Sequence, residues 1–249
     1  MPEINTIGVI GGGVMGSGIA QALAVGGARV TVRDLNEQLI EKSRATIVDG
    51  RYGLKRGVER GKTTQEDANA ALGRLAWTTS LDDLKGVDLI IEAVPEDMEL
   101  KKKVFAELDG VAGPATIFAS NTSGLAISEL NKAVSEERRA RFIGMHWFSP
   151  APVMKLVELV HAQETAEETV QALESLCQRA GKATVRVKDA PGRYGFIANR
   201  IYFAAVREAQ QVLSEEIATP EDINKAMVFG FNWPVGPLAM VEGATKGWQ

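Results

Sequence analysis

Of the two histidines in the chain, His146 stands in the run GMHWFSPAP, directly after an apolar stretch, 142–145, that reads as a β-strand. Twelve residues on, Glu158 interrupts the apolar run MKLVELV. A carboxylate in such a strand needs a partner, because burying it unpaired is costly. An acid beside an imidazole fixes the ring tautomer and stabilises the cation formed on proton uptake. Imidazoles titrate near about 6.5 in water, so the pair suits proton transfer near neutral pH. A plainer reading stands beside this one: a packed core histidine, and an acid on the outward face of an edge strand. Ser123, in SNTSGL just past an apolar run, reaches the same end of the fold, with a turn or helix cap as its alternative. Asn199, in GFIANR near the start of the helical region, carries no role that spacing alone supplies; helix N-terminal capping or packing is its plain reading. His161 reads as a surface histidine, and Cys177 as a small core residue.

A second constellation sits at the start of the chain. Residues 6–10 form a short apolar run that leads into Gly11, Gly13 and Gly16, spaced G-x-G-x-x-G, and a helical stretch follows over 15–25. Gly11 permits the tight turn, Gly13 lets the main chain approach a pyrophosphate, and Gly16 allows close packing of helix on strand. The helix N-terminus then faces the phosphates. Gly12, Val14 and Met15 are read with them as the cofactor-binding segment. Asp34 follows the next apolar run, 34 − 11 = 23 residues beyond Gly11, a spacing that suits a carboxylate on the adenosine ribose. The cofactor expected is therefore NAD. Arg33 beside it leaves NADP as the alternative. No metal site is read.

These residues need a scaffold. Strand-like runs at 6–10, 29–33, 75–78, 89–93, 116–120, 142–145, 156–160 and 184–187 alternate with stretches of helical period. That pattern implies an α/β fold of Rossmann type: a mostly parallel sheet with helices on both faces. The gap over 36–72 exceeds one crossover and is broken by Gly57 and Gly61, so it predicts a helical hairpin projecting from the sheet with a basic tip. The Pro- and Gly-rich KDAPGRYG marks a boundary between a domain over 1–188 and a smaller all-helical one over 189–249. Thr219, followed by Pro220, Glu221 and Asp222, opens a helix.

With 45% apolar residues the chain can bury a sizeable core, and 28 basic against 32 acidic residues provide no footprint for nucleic acid or an anionic membrane. A single cysteine forms no internal disulfide, and the opening MPEINTIGVIGGG lacks the pattern of a signal peptide, so a cytoplasmic protein is expected. No run approaches the roughly 18 apolar residues of a membrane span.

In order along the chain, GGGVMGSGIAQ, IEAVPEDMELKKKVF, SNTSGL, GMHWFSPAPVMKLVELV, GFIANR and WPVGPL resemble the NAD-dependent L-3-hydroxyacyl-coenzyme A dehydrogenases. The resemblance implies interconversion of L-3-hydroxyacyl and 3-oxoacyl thioesters, an acyl-CoA substrate, and a helical domain that makes a homodimer. It assigns the acid–base pair to His146 and Glu158, and the serine that touches substrate oxygen and nicotinamide to Ser123. The substrate-orienting asparagine falls on Asn199, and the NAD-contacting glutamate and lysine on Glu96 and Lys101. Ser149 stands where the family usually has Asn, which implies a different nicotinamide-side contact. The family's coenzyme A serine and lysine fall on Gly50 and Gly57, so Lys55 or Arg56 is read as their replacement. PGRYGF carries extra residues relative to the family, and the helical domain is read as shortened. The rival readings are a dehydrogenase of a free small 3-hydroxy acid or sugar acid, and a non-catalytic NAD-binding protein.

Overall fold

The computed structural model describes residues 3–246, with side chains through residue 243. Two compact units emerge, one ending at Phe196 and one beginning at Ile197. The first is built on eight strands: β1 (Thr6–Ile10), β2 (Arg29–Arg33), β3 (Leu75–Thr78), β4 (Leu89–Glu92), β5 (Ile117–Ser120), β6 (Phe142–Trp147), β7 (Leu156–His161) and β8 (Ala183–Lys188). Their order in the sheet is β3-β2-β1-β4-β5-β6-β7-β8. The first six run parallel, as expected of a Rossmann-type sheet. β7 turns back antiparallel to β6, and β8 runs parallel to β7.

Every residue of β4, β5 and β6 is buried, because helices cover both faces. On one face Val9, Ile91, Ala119 and Met145 pack under α1 (Val14–Val25) and α8 (Glu167–Arg179). On the other Ile10, Ile90, Phe118 and Phe142 pack under α5 (Met98–Asp109) and the short α6 (Ile127–Leu130), and Arg138 of α7 (Glu136–Arg139) lies over the Phe118 ring. Phe105 of α5 is wedged against Phe118 and Phe142, with ring centroids 5.9 and 4.6 Å away. Burial of each such ring contributes about 2 to 3 kcal/mol. Cys177 is a core residue of α8; burial pushes its thiol up to about 12, out of range for a nucleophile at neutral pH.

The insertion over 36–72 differs from the projecting hairpin expected. It is three helices, α2 (Glu37–Asp49), α3 (Leu54–Glu59) and α4 (Gln65–Leu72), and Ile47, Leu54, Ala68 and Ala71 join the core under α1. Asn36 caps α2 by accepting from Leu39 N, and Thr64 caps α4 by accepting from Asp67 N. Gly61, with φ +64°, makes the turn between α3 and α4.

Asp88 ties the beginnings of β1 and β4 together, its Oδ2 accepting from Asn5 N, Thr6 N and Thr6 Oγ1 at 2.8–2.9 Å. Burial pushes this carboxyl up, but those three donors, together with the Arg29 charge, outweigh it and hold the group below the usual range. A carboxylate depressed on folding contributes stability above its unfolded pKa and loses it as pH falls through the folded value. Asp88→Asn is therefore expected to cost about 1 kcal/mol at pH 7, discounted for partial solvation. The gap to the wild type should narrow as pH falls below the ordinary Asp value and through the lower folded one. Urea melts at pH 7 and across the acid range check this, and a pH-independent gap contradicts it.

The second unit contains α9 (Ala198–Ser214), α10 (Pro220–Phe231) and α11 (Pro237–Lys246). Thr219 caps α10 as expected, accepting from Asp222 N at 3.2 Å. The turn into α11 is held by Asn224 Oδ1, which accepts from Leu238 N and Ala239 N.

Candidate active site

His146 lies inside β6 rather than after it, because pairing with β7 prolongs the strand to Trp147. In the antiparallel ladder His146 stands directly opposite Glu158, and opposed residues project from the same face. The distance from His146 Nδ1 to Glu158 Oε2 is 2.7 Å, with the histidine 3% exposed and the glutamate 0%. A carboxylate facing Nδ1 favours the tautomer with its proton there, which leaves Nε2 as the basic nitrogen. Phe148 and Phe196 flank the imidazole, with ring centroids at 4.5 and 5.7 Å. Such walls exclude water and strengthen electrostatic interactions inside. Gly144, two residues before His146 on that face, has no room for a side chain: a Cβ would lie 2.8 Å from Ile127 and 2.9 Å from Val160.

The segment after β6, which carries the exposed Ser149 and the cis Ser149–Pro150 bond, is braced from below. Lys182 Nζ donates to Ala151 O and Met154 O at 2.7 and 2.8 Å, over the Trp147 ring. Burial pulls the Lys182 pKa below the ordinary lysine value. Sequence reading did not single this lysine out.

The glycine loop fits a dinucleotide. Gly11 has φ +92°, and a Cβ there would be 2.9 Å from Ala93 O, so the ends of β1 and β4 meet at this glycine. That is the point where strand order reverses and ligands bind in such sheets. A Cβ on Gly16 would be 1.8 Å from Gly11 O, so helix packs on loop with nothing between. Gly13, by contrast, has open space around its Cα, and it stands at the N-terminus of α1, where Val14 is exposed and Met15 half-buried. Asp34 Oδ2 accepts from Gly12 N at 2.7 Å and Oδ1 from Leu35 N, which fixes the carboxylate beside the loop. Arg33, the reason NADP stayed open, donates from Nε to Thr79 O.

Ser123 follows β5, and its amide donates to Glu96 Oε1 at 2.8 Å. Glu96 also accepts from Thr122 Oγ1 at 2.7 Å, so these two expected site residues are brought together. Lys101 is placed differently from an open contact to cofactor: it is 1% exposed, 2.6 Å from Glu92 and 3.5 Å from Glu96. Glu92 and Ser120 complete this network, and neither of them is singled out by the sequence. Lys55 and Arg56 lie on α3 in exposed ion pairs with Asp49 and Glu59, away from any expected acid–base residue in sequence and element. Asn199 is the second residue of α9, in the second unit. The segment before it packs on the Ser123 turn: a Cβ on Gly124 would lie 2.4 Å from Gly195 N and 2.6 Å from the Tyr194 ring. Burial, and then the Glu96 charge, raise the Tyr194 pKa.

Residues 6–190 match the family model described as 3-hydroxyacyl-CoA dehydrogenase, NAD binding domain, and residues 195–248 match the C-terminal domain of the same family. The chain is 39% identical to a probable 3-hydroxybutyryl-CoA dehydrogenase of Bacillus subtilis, over 96% of this chain and 81% of that one. It is 40% identical to the 3-hydroxybutyryl-CoA dehydrogenase of Mycobacterium tuberculosis strain H37Rv, over 95% and 81%. Among solved structures, (S)-3-hydroxybutyryl-CoA dehydrogenase from Ralstonia eutropha superposes with a TM-score of 0.89 at 42% identity, covering 96% of this chain and 81% of that one. With both domain models matched in order and relatives near 40% identity along almost its whole length, the chain belongs to the NAD-dependent 3-hydroxyacyl-CoA dehydrogenase family.

Proposed function

We propose that this protein interconverts L-3-hydroxyacyl-CoA and 3-oxoacyl-CoA thioesters, with His146 as the group that takes or returns the hydroxyl proton. The observation that carries this reading is the 2.7 Å His146–Glu158 pair, buried beside aromatic rings. Bound NAD supplies the hydride acceptor. In the oxidative direction Nε2 of His146 accepts the hydroxyl proton while Nδ1–H stays directed at Glu158, whose charge stabilises the imidazolium. The Ser123 hydroxyl holds the developing carbonyl oxygen, and Asn199 orients the thioester. Gly11 to Gly16, Asp34 and Glu96 would hold the dinucleotide, and Ser149 would supply the contact toward its nicotinamide. Lys55 and Arg56 are the proposed contacts for coenzyme A; exposed ion pairs contribute little, so both can exchange their acids for phosphate.

Reduction of acetoacetyl-CoA, followed by NADH absorbance beside NADPH and beside free acetoacetate, tests this. Turnover is expected with the thioester and NADH. Turnover of free acids alone, or of no substrate at high enzyme concentration, rejects the proposal. A homodimer through the second unit belongs to the same reading. It is supported by large apolar side chains that α9 and α10 leave exposed: Ile201 at 65%, Phe229 at 81% and Phe231 at 75%. Light scattering should report twice the chain mass, and a monomer at assay concentration sinks the assignment.

A further inference from the structure

Glu92 is a fully buried carboxylate on a strand of apolar residues, and proton transfer at His146 does not use it. Its surroundings are nevertheless complete. Oε1 accepts from Lys101 Nζ at 2.6 Å and from Val94 N at 2.7 Å, and Oε2 accepts from Ser120 Oγ at 2.6 Å. Lys101 Nζ donates in addition to Val94 O at 3.1 Å and lies 3.5 Å from Glu96 Oε2. Glu96 Oε1 accepts from Ser123 N at 2.8 Å. An unbroken polar path thus runs from the interior of the sheet to the main chain of Ser123.

The sheet register puts this path beside the acid–base pair. Glu92 is aligned with Ser120, and Ser120 with Gly144, two residues before His146. Strand residues two apart share a face, so Glu92, Ser120 and His146 project from the same side. Buried ion pairs are weak devices for stability, since the loss of hydration offsets most of the attraction. A fully satisfied buried network does rigidify what it touches. Glu96, 34% exposed at its side chain, is held through Oε1 by Thr122 Oγ1 and Ser123 N, and its Oε2 faces the Lys101 ammonium, which fixes the second oxygen and so the plane of the carboxylate.

We propose that the buried Glu92–Lys101 pair is a positioning device for the reaction: it restrains Glu96, and through Glu96 the main chain of Ser123, so that the serine hydroxyl is held where the reacting oxygen binds. This rests on the role given to Ser123 under the proposed function. Lys101 then acts from beneath the site, and Glu92 is a positioning residue that never touches substrate.

The test combines Glu92→Gln, the charge-balanced Glu92→Gln/Lys101→Met, and each of these in a Ser123→Ala background. In Glu92→Gln, hydrogen exchange at the Ser123 amide should accelerate at least about tenfold, and kcat for acetoacetyl-CoA should fall about tenfold to hundredfold. The charge-balanced variant leaves no unpaired buried charge. It should regain the melting temperature but not kcat, and it replaces the single variant if that one fails to fold. With Ser123→Ala already present, the kcat loss should shrink below about twofold, because residues that act as a unit are not additive. Unchanged exchange at Ser123, recovery of kcat in the charge-balanced variant, or the same fold-loss in both backgrounds overturns the inference. Absence of thioester turnover in the wild type would reject the proposed function instead, and the exchange measurement still decides the positioning claim.

Discussion

Replacing His146 by Gln is expected to lower kcat for acetoacetyl-CoA reduction by about 10²- to 10⁴-fold, the usual worth of general acid–base assistance. The imidazole is 3% exposed and has one ring nitrogen facing Glu158, so its other nitrogen is the one suited to exchange a proton with substrate. Glutamine preserves much of the volume and can still bond to the acid, which keeps the strand pair intact. It cannot take up a proton near neutral pH. The glycine loop and Asp34 lie on β1, α1 and β2, three strand positions or more from β6, so NADH affinity should change less than about threefold. Stopped-flow turnover beside NADH fluorescence titration makes the comparison. Wild-type kcat in the variant removes His146 from the mechanism, and loss of NADH binding means that the substitution damaged the fold.

Glu158→Gln should be almost as damaging to turnover, by about 10²- to 10⁴-fold, without a matching loss of stability. The carboxylate makes the ring tautomer definite and favours the charged imidazolium; an amide does neither reliably, and one of its two orientations places a donor against Nδ1. The carboxylate is fully buried, which costs free energy in the folded protein, so removal of the charge relieves a desolvation penalty. The melting temperature is therefore expected to stay level or rise while kcat collapses. A fall in both together would assign Glu158 to the fold rather than to the chemistry.

Much of this site could be read before any coordinates because its signals are local. Gly11, Gly13, Gly16 and Asp34 announce a strand–turn–helix through spacing alone, and the strand, turn and helix occur where the spacing puts them. Glu158 attracted notice because a charge in LVELV demands an explanation. Strand direction was not legible in the same way: alternating apolar residues look identical in a parallel and an antiparallel strand, so nothing in 156–160 revealed that β7 turns back. The end of β6 was missed for a related reason, since its last two residues become strand only by pairing with Glu158 and Val157. Lys101 and Glu92 show a further limit. Their pairing joins a helix to a strand, and a lysine in MELKKKVF carries no mark that distinguishes the buried one from its exposed neighbours. The three-helix insertion resembles a hairpin in sequence because Gly57, which looks like a helix breaker, sits inside α3.

The face-to-face placement of His146 and Glu158 in one antiparallel ladder makes the proton-handling unit a property of two adjacent strands and their link. Lengthening the link over 148–155 leaves the cross-strand partners opposite one another, although Phe148 and Ser149 at its start are themselves part of the site. One residue gained or lost within either strand turns one of the two groups to the opposite side of the sheet. The pairing of the two groups is thus insensitive to the length of the link and exposed to a single-residue deletion within either strand, the reverse of what a loop-borne pair experiences.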